Sequence, residues 1–437
     1  MEKLFKLFHG SENYELEARF GTKQSINRIQ FDNVIKKIKS CGFNSINPRG
    51  AYELRIQNEF TDSKTGRQKI SNVRGEISGL LQIQKYCKDN KPENIVFNKK
   101  QWVYKGGTRV PSFDKNNLNF RVNLKSEELL DLRNKLVKLT LQEWDNSKKI
   151  FRYMKRFTFK HDDFQLKIDC SIVKMSRMKG GRMISMKNIN ESNVFNNPEV
   201  YEIEIEMNQN SSIKNGMIQM KKVIRYILSG IQGTNYPITF SEMDSIYNSY
   251  LKLIGKKVKN KHPRDFVGPS SISLEVENIM EKSNMNILKN YAVTDKADGM
   301  RKMLYIANNK KIYFLDTNMN VQFTGCVSEN YSNTLIDGEH VLYDKRGNYI
   351  NLYLCFDIYF LNGKNLTAFP LIYIDNLVYN KKVDKNVFRL NELNTMVKDL
   401  AMTSIITDEV CSVTLKMKKF NHSSNIFNSC NSILSKV

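Results

Sequence analysis

Tyr14-Glu-Leu-Glu-Ala-Arg-Phe-Gly21 and Tyr201-Glu-Ile-Glu-Ile-Glu206 are the two stretches on which the fold turns. In both, apolar and charged residues alternate, the period-two signature of a β-strand with one face in a core. The sign of the charges sets them apart from an ordinary half-buried strand. Glu15 and Glu17 share one face of the first; Glu202, Glu204 and Glu206 share one face of the second, spaced roughly 6.5–7 Å apart. Like charges in a row repel, and such a row is stabilised only when something cationic sits against it. A hard divalent ion, Mg²⁺ or Mn²⁺, takes carboxylate oxygens and keeps waters for chemistry.

Working outward, residues 52–57, 120–125 and 166–172 alternate in the same way, and here the charges are mostly of opposite sign. Arg55, Arg74, Arg121 with Lys125, Arg152 with Arg156, and Lys167 supply cations, while Asp169 adds a carboxylate. Charged alternation by itself also fits a solvated sheet face. Segregation by sign favours strands that close into a barrel with a polar lumen, where guanidinium and ammonium groups face metal-laden carboxylates across a substrate with several phosphates. Helical spacing appears at Phe31, Val34, Ile35 and Ile38, ending at Gly42, and at Met217, Met220, Ile224, Ile227 and Leu228, ending before Gly230. These stripes read as core packing.

The chain of 437 residues is long enough for two or three domains. Lys and Arg number 68 against 45 Asp and Glu, a formal charge of +23. That balance fits a polyanionic partner, and equally a protein drawn from a Lys- and Asn-rich proteome. The N-terminus is too short and too charged for a signal peptide, and no apolar run approaches a membrane span. Seven scattered cysteines without a CxxC pair, and five histidines, argue against a disulfide framework or a Cys/His zinc site. A reducing, intracellular compartment is expected. Around 232–270 the pattern loosens, and Lys256, Lys257, Lys259, Lys261 and Arg264 surround Pro263. Three parts are therefore expected: a domain at 1–235, a linker and lead-in at 236–270, and a second domain at 271–437.

The second half carries Tyr291-Ala-Val-Thr-Asp-Lys-Ala-Asp-Gly-Met-Arg301. A lone KxDG is weak and could be a β-turn with an exposed lysine. Here it lies between strand-like stretches, with Arg301 at a KxDGxR position. A lysine whose pKa is lowered can act as a nucleophile on an α-phosphate, with metal and Arg neutralising the developing charge. Leu335-Ile-Asp-Gly-Glu339 and Leu354-Cys-Phe-Asp357 follow in order.

The glutamate strands resemble the first and last metal-binding strands of the triphosphate tunnel metalloenzymes, which include RNA 5′-triphosphatases of fungi and large DNA viruses. The segment 73–87 resembles the viral branch. The resemblance implies that Glu15, Glu17, Glu204 and Glu206, with Glu202, hold the metal against a γ-phosphate. It also implies that Arg121, Lys125, Arg152, Arg156 and Lys167 hold phosphates, with Asp169 supporting the water or a basic neighbour. Met154 falls at a lumen-facing position where a Lys would fit. In the second half, the order KxDGxR, LIDGE, LCFD resembles motifs I, III and IIIa of the covalent nucleotidyltransferases, the superfamily of guanylyltransferases and ligases. It implies Lys296 as the site of a lysyl-nucleotide bond and Arg301 as a contact to ribose or phosphate. Glu339 would bind ribose or metal, Phe356 would stack on the base, and Asp357 would order the site. Phe266-Val-Gly-Pro269 and Ser273-Leu-Glu look like the lead-in to a viral guanylyltransferase domain.

Together the halves resemble the mRNA capping enzymes of nucleocytoplasmic large DNA viruses (mimivirus-, asfarvirus- and poxvirus-like). The implied fold class is α+β: an antiparallel tunnel barrel, then a mixed α/β, ATP-grasp-like nucleotidyltransferase domain. The implied substrates are 5′-triphosphate RNA and GTP, with Mg²⁺ or Mn²⁺, in the cytoplasmic factory or virion of such a virus. Two departures stand out. No hydrophobic-Asp/Glu-Gly-hydrophobic motif IV is visible; Ile374-Asp-Asn-Leu-Val lacks the glycine. Leu415-Lys-Met-Lys-Lys-Phe420 has the letters of motif V but reads as a strand leading up to motif IV. The transferase half is therefore expected to be truncated, without motifs IV and V or an oligonucleotide-binding-type domain, the remainder lying in a missing segment or a partner chain. Alternatives are an ATP-dependent RNA or DNA ligase-like transferase and a catalytically incomplete RNA-binding capping subunit.

Overall fold

In the computed structural model the described residues are all but 64, 210–211, 259, 285, 289–290, 374–386, 407–410, 422–425 and 436–437. Two units divide the chain, Met1–Gly233 and Thr234–Val437. In the first, the main strands are β1 (Tyr14–Phe20), β2 (Ala51–Thr61), β3 (Val73–Ser78), β4 (Val96–Trp102), β5 (Phe120–Leu130), β6 (Lys149–Lys160), β7 (Leu166–Met175) and β8 (Val200–Met207). They pair antiparallel in the order β1-β5-β4-β3-β2-β6-β7-β8, and β8 returns to β1, which closes the barrel. Every strand identified from alternation is present.

The register explains which face goes where. Leu16, Ala18, Val122, Leu124, Ile168, Cys170, Ile203 and Ile205 are buried outside the barrel wall, beneath α1 (Glu2–Phe8), α2 (Arg28–Ser40) and α5 (Ile213–Gln232). A second apolar cluster covers β2, β3, β4 and β6 with α3 (Leu80–Asp89), α4 (Lys135–Gln142) and Trp144. With the apolar faces claimed by helices, the charged faces turn inward. Helix α2 starts from a capping box of Asn27 and Gln30. Helix α5 does not stop at Gly230 but continues to Gln232, with Gly233 in the left-handed region. Gly230 serves packing instead: a Cβ there would lie 2.6 Å from Val34 Cα of α2.

The second unit is built on β9 (Met300–Ile306), β10 (Lys311–Asp316), β11 (Val321–Ser328), β12 (Thr334–Tyr343) and β13 (Tyr349–Leu361). The sheet order is β13-β12-β9-β10-β11, and β14 (Thr414–Met417) adds parallel to β13. Met303 to Ala307 are all buried because both faces are covered. On one side lies α6 (Phe240–Leu253), through Ile246, Tyr250 and Leu251; on the other lies α7 (Arg389–Asp399), through Leu390, Leu393 and Met396. The span 236–270, expected as a linker, is thus part of this unit. Tyr247 Oη donates to the fully buried Asp265 Oδ2 at 2.7 Å and Tyr250 Oη to the Asp265 carbonyl at 2.7 Å, which pins the segment down. Among the described residues no helix is long and apolar enough to cross a membrane.

Candidate active sites

The barrel lumen gathers the charged faces into a set of ion pairs. On β1 and β8, Arg19 meets Glu204 at 2.7 Å and Glu202 at 3.6 Å, while Arg152 reaches Glu202 at 2.8 Å. Lys167 holds Glu206 at 3.0 Å, and Lys125 holds Glu17. Lys100 lies against Glu15, 3.3 Å from Glu17 and 3.2 Å from Glu127. Arg55 bridges Glu53 and Glu76 at 3.1 and 2.9 Å, and Arg74 bridges Glu76 and Glu127 at 2.7 and 2.9 Å. Arg156 sits 3.7 Å from both Glu53 and Asp169, and Thr158 Oγ1 donates to Asp169 at 2.6 Å. Met154 is fully buried beside them. Arg121 is set apart: it pairs with Asp114 at an exposed end of β5, outside this network.

Two features bear on what the lumen can bind. Glu17 stands directly opposite Glu206 across β1 and β8. Burial pushes the Glu15 carboxyl up to about 8, and Glu17 and Glu206 add to that against Lys100. Burial would raise Glu17 as well, but Lys100 and Lys125 outweigh it and hold Glu17 down to about 2. The carboxylates of β1 and β8 crowd one face, and their all-oxygen donor set suits a hard divalent ion. Among the described residues no three of them converge as a ready ligand group, because each is turned to a lysine or arginine. Conversely, the Nε groups of Arg152 and Arg156 are buried with no hydrogen-bond partner among the described residues, donors left over for an anion.

Sequence reasoning missed Arg19, Lys100, Glu53, Glu76 and Glu127. Arg19 and Glu127 share the parity of residues it singled out, so that signal was available. Lys100 had none, since Val-Phe-Asn-Lys-Lys-Gln-Trp does not alternate.

In the second unit, Lys296, Arg301, Glu339 and Phe356 line one cleft of about 960 Å³. Gly299 fits only as glycine, since a Cβ would lie 2.7 Å from the His340 carbonyl oxygen. Lys296 is exposed and donates to Asp298 at 2.9 Å, which raises its pKa. Arg301 is held bidentately by the buried Asp337, at 3.1 and 2.6 Å, and faces Phe356 with 5.7 Å from guanidinium to ring centre. Asp337 also accepts from Tyr359 Oη at 2.8 Å. Asp357 does not line the cleft; it anchors Arg389 of α7 at 2.8 and 3.0 Å. Lys418 does line it. Strand β14 runs beside β13 and brings that lysine into the cleft that Glu339 also lines, so the Lys-x-Lys segment belongs to the site and not to a lead-up. Burial raises the Glu339 carboxyl, and Lys418 and Lys296 oppose it. The motif IV candidate at 374–378 lies outside the described residues.

The first unit is thus a closed barrel with an ion-paired lumen, and the second carries a KxDG cleft on a mixed sheet. Residues 231–431 match the family model for the mRNA capping enzyme, catalytic domain. The chain is also 26% identical over 321 residues, 70% of its length, to a protein named probable mRNA-capping enzyme of Acanthamoeba polyphaga mimivirus. It spans about a quarter (24%) of that relative's length. Among solved structures it is similar to the RNA triphosphatase domain of a trifunctional mimivirus mRNA capping enzyme, with 17% identity, TM-score 0.35, and 52% of this chain and 94% of that chain covered. It is also similar to a Schizosaccharomyces pombe RNA triphosphatase, with 11% identity, TM-score 0.29, and coverage of 52% and 86%.

Proposed function

We propose that residues 1–233 remove the γ-phosphate from triphosphate-ended RNA and that the second unit transfers GMP from GTP through Lys296 to the resulting diphosphate end. The observation that carries this reading is the closed lumen, in which crowded carboxylates on β1 and β8 face the buried Nε groups of Arg152 and Arg156 on β6, which have no acceptor among the described residues. Glu15, Glu17, Glu204 and Glu206, with Glu202 beside them, would hold Mg²⁺ or Mn²⁺, which supplies charge neutralisation on phosphate oxygens. Lys125 and Lys167 rest on Glu17 and Glu206. Freed by a cation there, they would turn to phosphate, joining the Nε groups of Arg152 and Arg156.

In the cleft, Lys296 must lose a proton before its nitrogen attacks the α-phosphorus. An N–P bond then forms as the bond to the β-phosphate oxygen breaks and pyrophosphate leaves. The pair with Asp298 holds Lys296 protonated, so the proton would pass to solvent once the nucleotide draws the lysine away from Asp298; Arg301 and Lys418 would neutralise the α-phosphate, and Phe356 would stack on the base. The test uses the 437-residue chain with Mg²⁺ or Mn²⁺. γ-Labelled triphosphate RNA should release phosphate, and Glu204→Ala should stop that release. α-Labelled GTP should label the protein on a denaturing gel, and Lys296→Ala should abolish the label. Label from ATP in preference to GTP would support the ligase-like alternative, and neither release nor label would overturn the proposal.

A further inference from the structure

Beneath the Lys296 cleft, a line of polar side chains runs through the sheet with no part in the transfer as proposed. Lys302, next to Arg301 on β9, is 4% exposed and, among the described residues, has no carboxylate within ion-pair distance. Its Nζ donates to Gln322 Oε1 at 2.7 Å, lies 3.0 Å from His340 Nδ1, and sits 5.3 Å from the centre of the Phe314 ring. Burial draws the ammonium down to about 8, so at neutral pH it keeps its proton. An ammonium has donors only, so His340 Nδ1 must accept and the ring proton must sit on Nε2. Burial, and then Lys302, hold the His340 pKa at about 4, which keeps the imidazole neutral and able to accept. Its Nε2–H then donates to Asn351 Oδ1 at 2.7 Å, and the Asn351 amide donates to the backbone carbonyl of Ser412. The direction of every bond in the line follows from the charge on Lys302.

Where the line ends is what gives it consequence. Asn351 immediately precedes the residue at which β13 begins its parallel ladder with β14, and Ser412 stands two residues ahead of β14. The ladder runs from Leu352 opposite Thr414 to Cys355 opposite Met417; Lys418 then donates its amide to the Cys355 carbonyl at 2.8 Å and sends its side chain into the cleft. A four-residue parallel strand fixes its own register weakly. Side chains alternate along it, so a slip of one residue would take Lys418 out of the cleft and bring Met417 or Lys419 to its place. Asn351 has φ +43, a backbone conformation that asparagine tolerates better than most residues.

We propose that Lys302, acting through His340 and Asn351, sets the register of β14 and is thereby the positioning residue for Lys418 in the nucleotide cleft. The role given to Lys418 rests on the transfer reading above; the register claim does not. The test uses the full chain with Lys302→Met, which keeps the length and removes every donor, and Asn351→Gly, which keeps the positive φ and removes the amide. Hydrogen exchange at the Lys418 amide should speed up at least tenfold in both variants, while the amides of β9 stay protected. Should Lys302→Met fail to fold, Asn351→Gly carries the measurement. With α-labelled GTP and Mg²⁺, Lys302→Met should slow labelling at saturating GTP, yet add nothing further in a Lys418→Ala background. Unchanged protection at Lys418 in a folded variant, or additive losses in the double variant, would overturn the proposal. A wild-type chain that never labels would remove the transfer reading, and the exchange arm would still decide the register.

Discussion

At Glu15 burial and charge pull in opposite directions, and the outcome can be measured. Its carboxyl, raised from 4.5 to about 8, makes its full contribution to stability below about pH 4.5 and loses it as pH rises through about 8. Glu17, lowered to about 2, contributes above about pH 4.5 and loses that only as pH falls toward 2. Glu15→Gln should therefore raise the melting temperature by a few degrees at pH 9, on the scale of ~2–4 °C per kcal/mol, and leave it unchanged at pH 5. Mg²⁺ or Mn²⁺ should stabilise the wild type at pH 8 and stabilise Glu15→Gln less, because an ion that binds only the folded state raises its stability. Equal melting curves at pH 9, with equal metal effects, would show that Glu15 bears neither strain nor metal. Sequence made Glu15 legible because strict alternation exposes like charges on one face. Asp337 was hidden in plain view inside Leu335-Ile-Asp-Gly-Glu339: its grip on Arg301 depends on β9 and β12 lying side by side, which no local pattern states.

Elements show the same division between what is local and what is not. The strands of the barrel were readable because each carries its own period-two signal. The end of α5 was not, since Gly230 looks like a helix stop and is instead the point where α5 meets α2. Gly230→Leu should cost about 1–3 kcal/mol or more, because the added side chain drives into the Val34 backbone. Urea unfolding should show a lower midpoint, while Gly180→Ala, in open space on a surface turn, serves as a control whose only strain is its positive φ. A midpoint for Gly230→Leu no lower than the control's would mean that the helices separate freely. Helix α6 was overlooked for a related reason. Its buried face is formed largely by Ile246, Tyr247 and Tyr250, and the tyrosines read as polar until Asp265 is seen to receive their hydroxyl hydrogen bonds. The place of β14 was misread because a Lys-x-Lys strand is identified by its neighbour, and β13 lies some sixty residues earlier.

Across the whole molecule, the charge of +23 is not where the chemistry is proposed to happen. Within the lumen each arginine or lysine named above faces a carboxylate, so the cations there are locally balanced and the positive excess lies elsewhere on the chain. A substrate that is only a triphosphate would therefore meet a site whose electrostatics are buried and poorly screened. An RNA would in addition lie along the exposed excess, where each phosphate contact releases counterions and binding falls with salt, by about 0.7 in log–log slope per neutralised phosphate on a single strand. The expected outcome is a split. Between 50 and 200 mM KCl, the KM for γ-phosphate release from ATP should change by less than about threefold. For a triphosphate RNA of some twenty nucleotides it should rise by at least tenfold, with kcat steady in both cases. Parallel salt dependence for the two substrates would mean that the RNA body makes no contact with the basic surface. The +23 charge would then be a property of composition alone, the alternative that composition by itself left open.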